Sequence, residues 1–311
     1  MSQIKPATAN GTRAISAVIA TYGREQILID TINHLLRMEP GPDEIIVVDQ
    51  TLDHEASTED ALFSLTNDES IRTIKLDIPS ITHAMNLGLQ GARNDIVLFL
   101  DDDIIPGENL IDAHARAHVE QHCNIVAGQV LQPGEEPVSE EAGSRGFRVC
   151  SSRRQYISDL MGGNFSINRA VALRLGGFDE NFVKVAYRFE AEFASRALAA
   201  GERILFEPEA SIRHLKAATG GTRAYGEHLT TIKPSHSVGE YYYLLRSTRI
   251  PGRMLKILAR PLRAIRTRHH LYHPWWIPGT LIAETWGFFW ALALAARGPR
   301  LIGGRPHITK S

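Results

Sequence analysis

Three consecutive carboxylates, Asp101, Asp102 and Asp103, directly follow the apolar run "IVLFL". Their charges repel one another at neutral pH, so the turn needs a positive partner. Asp101 and Asp103 can each place an oxygen on one hard cation, with phosphate oxygens and water completing its coordination. Mg²⁺ and Mn²⁺ bind in this way. The turn therefore predicts a site for one of these ions, the alternative being a solvated acidic loop or a helix N-cap.

The elements that would position these carboxylates alternate along the first 130 residues. Runs that are apolar on both faces predict strands of a parallel sheet, and they cover 15–20, 44–49, 71–76 and 95–100. Helical patterns lie between them at 24–37, 57–67 and 81–92. The order predicts an α/β fold, with a mostly parallel sheet flanked by helices on both sides.

Ligands of open parallel sheets bind beyond the carboxyl ends of the strands. Those ends carry Thr21 with Tyr22, Asp49 with Gln50, and the three aspartates. We therefore predict that these side chains line one binding crevice.

The middle of the chain predicts further elements around that crevice. Residues 131–160 are polar and indicate a long loop or lid. Residues 162–182 predict a strand and then a helix capped by Asn168, and 187–208 predict a helix ending at Gly201 and another strand.

The charges are segregated along the 311 residues, although the formal net charge is only −1. Residues 241–311 contain twelve Lys or Arg and one acid, Glu284, whereas 1–240 contain 22 basic and 34 acidic residues. This asymmetry indicates two parts with different partners.

Cys123 and Cys150 fit no metal-ligand spacing, and 1–13 has no apolar secretory segment. A cytoplasmic protein with a flexible N-terminal tail is expected.

The basic part predicts an association with a membrane surface through residues 246–297. Cations at steps of four, three, four and three, with apolar residues on another face, indicate an amphipathic helix that Pro261 should kink. The repeated cations are Arg249, Arg253, Lys256, Arg260 and Arg263.

A second, mostly apolar segment at 280–297 approaches membrane-spanning length but contains Glu284 and Gly287. Four Trp residues near it suit an interface, which favours a peripheral or monotopic anchor at the cytoplasmic membrane face. The alternative is a helical pair packed on the catalytic domain or on a second subunit. Nucleic-acid binding is not expected, because the aromatic residues do not interleave with the charges.

Five segments together resemble the successive motifs of family 2 glycosyltransferases of the GT-A fold. They are "SAVIATYGRE", "DEIIVVDQT", "AMNLGLQGARNDIVLFLDDD", "GGNFSINRAVALRLGGFDENF" and "RFEAEFASRALAAGERI". The resemblance implies a Rossmann-like GT-A catalytic domain at 14–230. Its nucleotide-sugar-binding half would be 14–130 and its acceptor half 131–230, followed by a helical, membrane-associating region at 231–311.

The resemblance also implies roles on the donor side. Thr21 and Tyr22 would contact the nucleotide, and Asp49 with Gln50 would read the base. Many members have Asp-Asp where this chain has Asp49-Gln50, but a Gln amide can both donate to and accept from a base edge. Helix capping remains an alternative for Asp49.

The Asp-x-Asp motif and the residues after the last strand would hold the diphosphate and its ion. Asp101, with Asp102 beside it, would lie near the ribose, and Asp103 would hold the metal. His214 is a candidate third ligand, and Arg223, after two glycines, a candidate cation for the diphosphate. The alternatives are a structural histidine and an ordinary surface turn.

The catalytic base is expected on the acceptor side. The family places a Glu-Asp pair six or seven residues before an Arg, and counting back from Arg196 gives Glu190 and Phe189. Glu190 is therefore the predicted base. Glu192 is the alternative, because residues i and i+2 of a helix face different sides; it could instead pair with Arg196. Glycines at 162 and 163 and Asn164 indicate backbone close to the sugar or acceptor, or else tight packing.

The function implied is inverting, metal-dependent transfer of a sugar from a nucleotide-sugar to an acceptor hydroxyl. A lipid-linked glycan in cell-surface polysaccharide assembly would account for both parts of the chain. A nucleotidyltransferase is a second hypothesis, but "TYGRE" is too short and too poor in Gly for its phosphate loop. A non-catalytic sugar-binding relative is a third, suggested by Phe189 and Gln50.

Overall fold

The computed structural model describes residues 14–139, 147–247 and 250–303. The predicted tail at 1–13 and the basic residues Arg249, Arg305 and Lys310 lie outside these ranges.

The strands of the described chain are β1 Ile15–Thr21, β2 Glu44–Asp49, β3 Arg72–Lys75, β4 Ile96–Leu100, β5 Ile104–Pro106, β6 Ile125–Leu131, β7 Gln155–Ile157, β8 Asn164–Asn168 and β9 Ile204–His214. Its α-helices are α1 Gln26–Leu36, α2 Ala56–Asn67, α3 Ile81–Gly91, α4 Leu110–Glu120, α5 Arg169–Arg174, α6 Phe189–Ala199, α7 Ser237–Arg246, α8 Arg253–Ile265, α9 Arg268–Tyr272 and α10 Ile277–Arg297. Two 3₁₀ helices cover Gly221–Tyr225 and Pro274–Trp276.

These strands form one mixed sheet in the order β3-β2-β1-β4-β8-β6-β9-β5, with β7 also paired to β9. The first four strands of this order are parallel, whereas β8 runs antiparallel to both β4 and β6. The predicted α/β class is confirmed. The reversal at β8 brings the second half of the chain beside β4, and the start of β8 lies at the end of β4 where the three aspartates begin.

Strand β4 is buried on both faces, as its continuous apolar sequence predicts. Val97 and Phe99 belong to a core shared with α3, α5, α6 and α7. Ile96, Leu98 and Leu100 belong to a second core, shared with α1, α2 and α4. Helices on both faces therefore hold the strand whose end carries the acidic turn.

The second half follows the predicted order, with shorter elements. Asn168 caps α5, its side chain accepting a hydrogen bond from the Val171 amide at 3.2 Å. Helix α6 ends just before Gly201, whose positive φ of 85° suits glycine. The described part of the predicted lid at 131–160 is not wholly irregular, because β7 lies within it and Val138 forms a β-bridge with Ser151.

Residues beyond 230 share the core of the preceding α/β region. Tyr241 and Tyr242 of α7 are almost fully buried in the first core, together with Ile257 of α8 and Ala291 of α10. Helix α8 continues through Pro261. Within the described residues one stretch, Pro274–Arg297, is long and apolar enough to cross a membrane by length and composition, and a third of its apolar 18-residue window is buried.

Candidate active site

A cavity of about 750 Å³ opens where β1 and β4 end. Both halves of the chain line it, the first with Tyr22, Gln50 and Asp101 and the second with Glu190 and His214. The crevice predicted at the strand ends is therefore present. Most of the charged side chains on its wall are carboxylates. Some of the cations on the wall form ion pairs with these carboxylates.

Asp101, Asp103 and His214 converge at the bottom of this cavity. His214 Nε2 lies 3.1 Å from an oxygen of Asp103 and 3.8 Å from one of Asp101. Their potential ligand atoms all lie within 4.8 Å of one another. Desolvation in the cavity raises the pKa of Asp101 to about 6, and the neighbouring carboxylates act in the same direction. The hydrogen bond to Asp103 raises the pKa of His214.

Asp103 is held in its ionised form. Its side chain is buried, which acts to raise its pKa. The hydrogen bonds from His214 and from the Ala217 amide, the latter 2.8 Å long, outweigh that effect and lower it. A carboxylate that stays charged at neutral pH is a competent metal ligand.

This donor set fits the ion predicted from the sequence. Octahedral Mg²⁺ at about 2.0–2.1 Å from its ligands places adjacent donor atoms about 3 Å apart. The separations of 3.1 Å and 3.8 Å around His214 Nε2 allow such an arrangement after a small adjustment. Two oxygens and one imidazole nitrogen also suit Mn²⁺. The structure thus brings Asp101, Asp103 and His214 together as the resemblance implied.

A buried arginine contributes part of the positive charge that the acidic turn requires. Arg24 Nε donates to Asp102 at 3.0 Å, and another guanidinium nitrogen lies 3.4 Å from Asp103. The Arg24 and Asp102 side chains are only 6% and 8% exposed. Sequence reasoning assigned the whole compensation to a metal and missed Arg24. Its signal was a cation three residues beyond the end of β1.

Among the residues predicted on the donor side, Tyr22 and Gln50 line the cavity and two others do not. Gln50 donates to the Thr21 carbonyl at 3.1 Å and accepts from the Ser80 amide at 2.7 Å. Thr21 is itself fully buried. The amide of Gln50 is thus fixed in orientation at the cavity wall.

Asp49 is fully buried behind that wall. It accepts from Lys75 at 2.6 Å and from the Thr51 amide at 2.9 Å, and His54 Nε2 lies 3.0 Å away. These contacts hold its pKa low despite its burial. Neither Lys75 nor His54 was singled out from the sequence, because the fold alone brings them to the end of β2.

The loop that carries Arg223 closes over the acidic turn. The Gly221 amide donates to the Tyr22 carbonyl at 2.6 Å, and Arg24 also donates to the Thr219 carbonyl. A Cβ on Gly220 would lie 2.2 Å from the Gly23 carbonyl oxygen, and the φ of Gly220 is +74°. Glycine is therefore required here by close approach as well as by conformation. Arg223 and Tyr225 line the cavity from this loop.

Of the two acids near the start of α6, Glu190 lines the cavity and Glu192 does not. Burial raises the pKa of Glu190 to about 7, with a smaller contribution from the charge of Asp101. Glu192 is buried and accepts two hydrogen bonds from Arg196, at 2.9 Å and 2.8 Å. The two acids thus face different sides of α6, and only Glu190 is available to a ligand in the cavity.

Two adjacent glycines lie against the carboxylates of Asp101 and Glu190 in the cavity. A Cβ on Gly163 would lie 2.1 Å from an Asp101 oxygen, and one on Gly162 would lie 2.8 Å from a Glu190 oxygen. Asn164 is fully buried and donates to the carbonyls of Gln129 and Ala210. The glycines give the carboxylates room, whereas Asn164 serves packing.

A family model described as glycosyl transferase family 2 matches residues 16–177, more than half of the chain. No match was found among curated protein sequences. The fold and the site define a glycosyltransferase of the GT-A class. The chain belongs to glycosyl transferase family 2. The resemblance inferred from its motifs is confirmed, and a nucleotidyltransferase is no longer the second hypothesis.

Several solved structures share the fold at low sequence identity. TarS 1–349 of S. aureus, in complex with UDP-GlcNAc, matches with a TM-score of 0.56 at 15% identity, over 86% of this chain and 79% of that one. Mannosyltransferase PcManGT from Pyrobaculum calidifontis, in complex with GDP-Man and Mn²⁺, gives 0.53 at 17% identity, over 92% and 79%. GalNAc-T7 with UDP, GalNAc and Mn²⁺ gives 0.55 at 12% identity, over 78% of this chain and 53% of that one. The matched region is thus about half of the GalNAc-T7 chain.

Proposed function

We propose that this protein transfers a sugar, with inversion, from a nucleoside-diphosphate sugar to an acceptor hydroxyl. The observation that carries the proposal is that one cavity contains both the cluster of Asp101, Asp103 and His214 and the separate carboxylate of Glu190. Inverting transfer requires these two features. The leaving diphosphate needs a cationic site, and the attacking hydroxyl needs one base.

Asp101, Asp103 and His214 are the proposed ligands of Mg²⁺ or Mn²⁺. When bound, the ion supplies positive charge to the departing diphosphate. Asp103 is the most firmly oriented of the three, because the Ala217 amide and Arg24 hold its second oxygen. Arg223, on the loop that covers the cavity, is proposed to contact the diphosphate as well.

Tyr22 and Gln50 are the proposed contacts for the nucleoside. Both line the cavity at the ends of β1 and β2, and the fixed amide of Gln50 presents its remaining hydrogen-bonding capacity to a base edge. Thr21 and Asp49 are proposed to serve the donor from behind the wall, where the Thr21 carbonyl orients the Gln50 amide and Asp49 holds Lys75. Asp102 lines the cavity and is proposed to serve the donor by orienting Arg24.

Glu190 is the proposed catalytic base. Its carboxylate would take the proton of the acceptor hydroxyl as that oxygen attacks the anomeric carbon, and the carbon–oxygen bond to the diphosphate breaks on the opposite face. A pKa raised to about 7 makes the carboxylate a stronger base than an exposed Glu while leaving much of it ionised at neutral pH. Phe189, at the other position of the family's acidic pair, is buried.

The proposed acceptor is a lipid-linked glycan of cell-surface polysaccharide assembly, at the cytoplasmic face of a membrane. The chain is proposed to have three functional regions: a donor-binding half at 14–130, an acceptor-binding half at 131–230 and a membrane-associating region from 231 onwards. The support for this acceptor is the basic and apolar character of the C-terminal helices.

Binding of a panel of nucleotide-sugars, each with and without Mn²⁺, tests the proposal through thermal stability. A true donor at 100 times its Kd should stabilise the protein by about 2.7 kcal/mol. This stabilisation should require Mn²⁺ and disappear in Asp103→Asn. Analysis of the product's anomeric configuration then tests inversion. Stabilisation by no nucleotide-sugar, or a product that retains configuration, would refute the proposal.

A further inference from the structure

A row of large apolar side chains is exposed on the C-terminal helices. It starts on α8, passes through α9 and the 3₁₀ turn at Pro274–Trp276, and continues along α10. Its members are 45–79% exposed, and we call them the docking face: Met254, Leu255, Leu258, Leu262, Leu271, Tyr272, Trp275, Ile282, Trp286, Phe289 and Leu292. So many exposed apolar residues on adjacent helices indicate a surface that binds a partner.

The opposite sides of the same helices are already packed inside the protein. Ile257 of α8 and Ala283, Gly287 and Ala291 of α10 are buried, and a Cβ on Gly287 would lie 2.1 Å from Ser237 Oγ of α7. Helix α10 therefore meets the catalytic core with one side and leaves the docking face outward. The sequence offered packing on the protein as the alternative to a membrane anchor for this helix. Such packing accounts for only one side of α10.

The charges around the docking face are almost all positive. Residues 250–300 contain eight Lys or Arg and one acid, Glu284. Glu284 is buried and paired with Arg260 at 3.0 Å, so it contributes no negative charge to the surface. Arg263, Arg266 and Arg268 are exposed beside the apolar row. A second copy of the chain would oppose like charges across the interface, whereas an anionic lipid surface complements both the cations and the apolar residues.

We propose that the docking face lies in the plane of an anionic bilayer surface, with its apolar side chains among the acyl chains and its cations at the headgroups. This arrangement buries the exposed row without exposing the packed side of α10 to lipid. The buried Arg260–Glu284 pair stays within the protein.

Helix α7 links this surface to the acceptor end of the cavity. On the cavity side, Glu240 accepts from Arg188 at 2.9 Å, and a Cβ on Gly239 would lie 2.3 Å from the Tyr187 carbonyl oxygen. Tyr187 and Arg188 line the cavity mouth beside Glu190. On the other side, Ser237 donates to the Ala283 carbonyl of α10 at 2.8 Å.

These contacts connect the Glu190 side of the cavity, through α7, to the helix that carries part of the docking face. This connection also concerns the acceptor, a step that rests on the proposed function. Docking would hold the acceptor side of the cavity in a fixed relation to the bilayer, which suits an acceptor whose anchor remains in the membrane.

Co-sedimentation of the full chain with phosphatidylcholine vesicles, with and without phosphatidylglycerol, tests the docking face. The wild type should bind the anionic vesicles, and salt should weaken this binding. Arg263→Gln/Arg266→Gln should reduce partitioning roughly 30-fold. Leu255→Gln/Leu258→Gln/Leu262→Gln should reduce it at least about 100-fold, because three exposed leucines no longer enter the lipid.

Matched variants elsewhere on the surface serve as controls. Leu52→Gln/Phe63→Gln removes apolar side chains that are 74% and 69% exposed, and Arg37→Gln/Arg93→Gln removes two exposed cations. Both should bind vesicles like the wild type. Equal losses in the controls, binding that ignores phosphatidylglycerol, or a dimer that the leucine variant dissociates without any vesicle binding would overturn the proposal.

Donor hydrolysis without acceptor separates this inference from the proposed function. The leucine variant should hydrolyse donor at the wild-type rate while losing transfer to membrane-embedded acceptors. Wild-type hydrolysis with no vesicle binding would refute the docking face alone. Vesicle binding without any donor turnover would refute the proposed function and the acceptor extension, and leave the docking face supported.

Discussion

At the scale of single residues, the acidic turn is balanced by two kinds of positive charge. Arg24 neutralises Asp102 inside the protein, while Asp101, Asp103 and His214 face the cavity as a set of ligand atoms. Asp102 pairs with Arg24, and Asp103 meets the same arginine and the Ala217 amide through one oxygen only. The other Asp103 oxygen stays beside His214 and Asp101, in the proposed ion site. The three aspartates are adjacent in the chain but belong to different environments.

Replacing Arg24 should destabilise the protein strongly. Arg24→Met leaves the buried carboxylate of Asp102 without a cation, and breaking one side of such a pair costs about 3–5 kcal/mol. Chemical denaturation of the full chain measures this loss. Arg24→Met/Asp102→Asn should recover part of it, because the uncompensated charge is removed as well. Equal stability of Arg24→Met and the wild type would show that the pair is not essential.

Replacing Glu190 should abolish transfer while preserving donor binding. Loss of a general base lowers the rate by about 10²–10⁴-fold, so Glu190→Gln should lose that much kcat with an unchanged melting shift from the nucleotide-sugar. Glu192→Gln is the matched control, because that acid pairs with Arg196 outside the cavity. A Glu190→Gln protein with normal turnover would favour the non-catalytic role for this residue.

The pH dependence of transfer should follow the raised pKa of Glu190. A base acts only when ionised, and burial raises this pKa to about 7. The rate should therefore reach its maximum well above pH 7 and fall as the pH decreases through about 7. A rate profile of kcat between pH 5 and pH 9 measures it. A profile flat to pH 5 would contradict Glu190 as the base.

At the scale of elements, the turn before β8 lies between the carboxylates of Asp101 and Glu190, the proposed metal ligand and the proposed base. The Asp101 amide donates to the Gly163 carbonyl at 3.1 Å, so the turn is attached to the end of β4 by its backbone. Antiparallel pairing of β8 with β4 then continues from this point. The absence of side chains at both glycines lets the strand approach the acidic turn so closely.

A methyl group on Gly163 should disturb the ion site while preserving the fold. The new Cβ would lie 2.1 Å from an Asp101 oxygen and force that carboxylate away. We expect Gly163→Ala to weaken Mn²⁺ binding about 10–100-fold, the range seen when groups that orient ligands are changed. Calorimetric titration with Mn²⁺ measures it. Gly91→Ala, whose Cβ would meet Ile74 at 3.3 Å, is the control and should bind Mn²⁺ normally.

At the scale of the whole molecule, the C-terminal helices are part of the catalytic structure. Tyr242 of α7 donates to Asp179 at 2.6 Å and accepts from Asn181 at 3.0 Å. Asn181 also donates to the Gly298 carbonyl beyond α10. The end of α10 is therefore connected through these hydrogen bonds to the loop after α5 and to α7.

Removing the Tyr242 hydroxyl should weaken this connection. Tyr242→Phe leaves the buried Asp179 without one hydrogen bond, and bonds to charged groups contribute about 1.5–3 kcal/mol. The free energy of unfolding should fall by that amount in a denaturant titration. Tyr243→Phe on the same helix is the control, because its side chain is only partly buried. Unchanged stability of Tyr242→Phe would mean that the extension is independent of the catalytic core.

The sequence by itself determined the sheet, the family and the main polar residues of the cavity. Continuous apolar runs predicted the short buried strands. The order of the five motifs along the chain predicted the GT-A fold. Register with Arg196 was enough to predict that Glu190 and Glu192 lie on different sides of the helix, and Glu190 is the one that lines the cavity. Its role as the base stays a prediction. Local patterns suffice where a property depends on neighbours in the chain.

Only the tertiary structure decided which charges meet. Arg24 lies 78 residues from Asp102, and Lys75 lies 26 residues from Asp49, so no local spacing could show that they form pairs. The same holds for α10, whose sequence fits an anchor or a core helix equally well. In the structure, one side of α10 is buried against α7 and the core, as in a core helix, and the other side is exposed, as the proposed anchor requires.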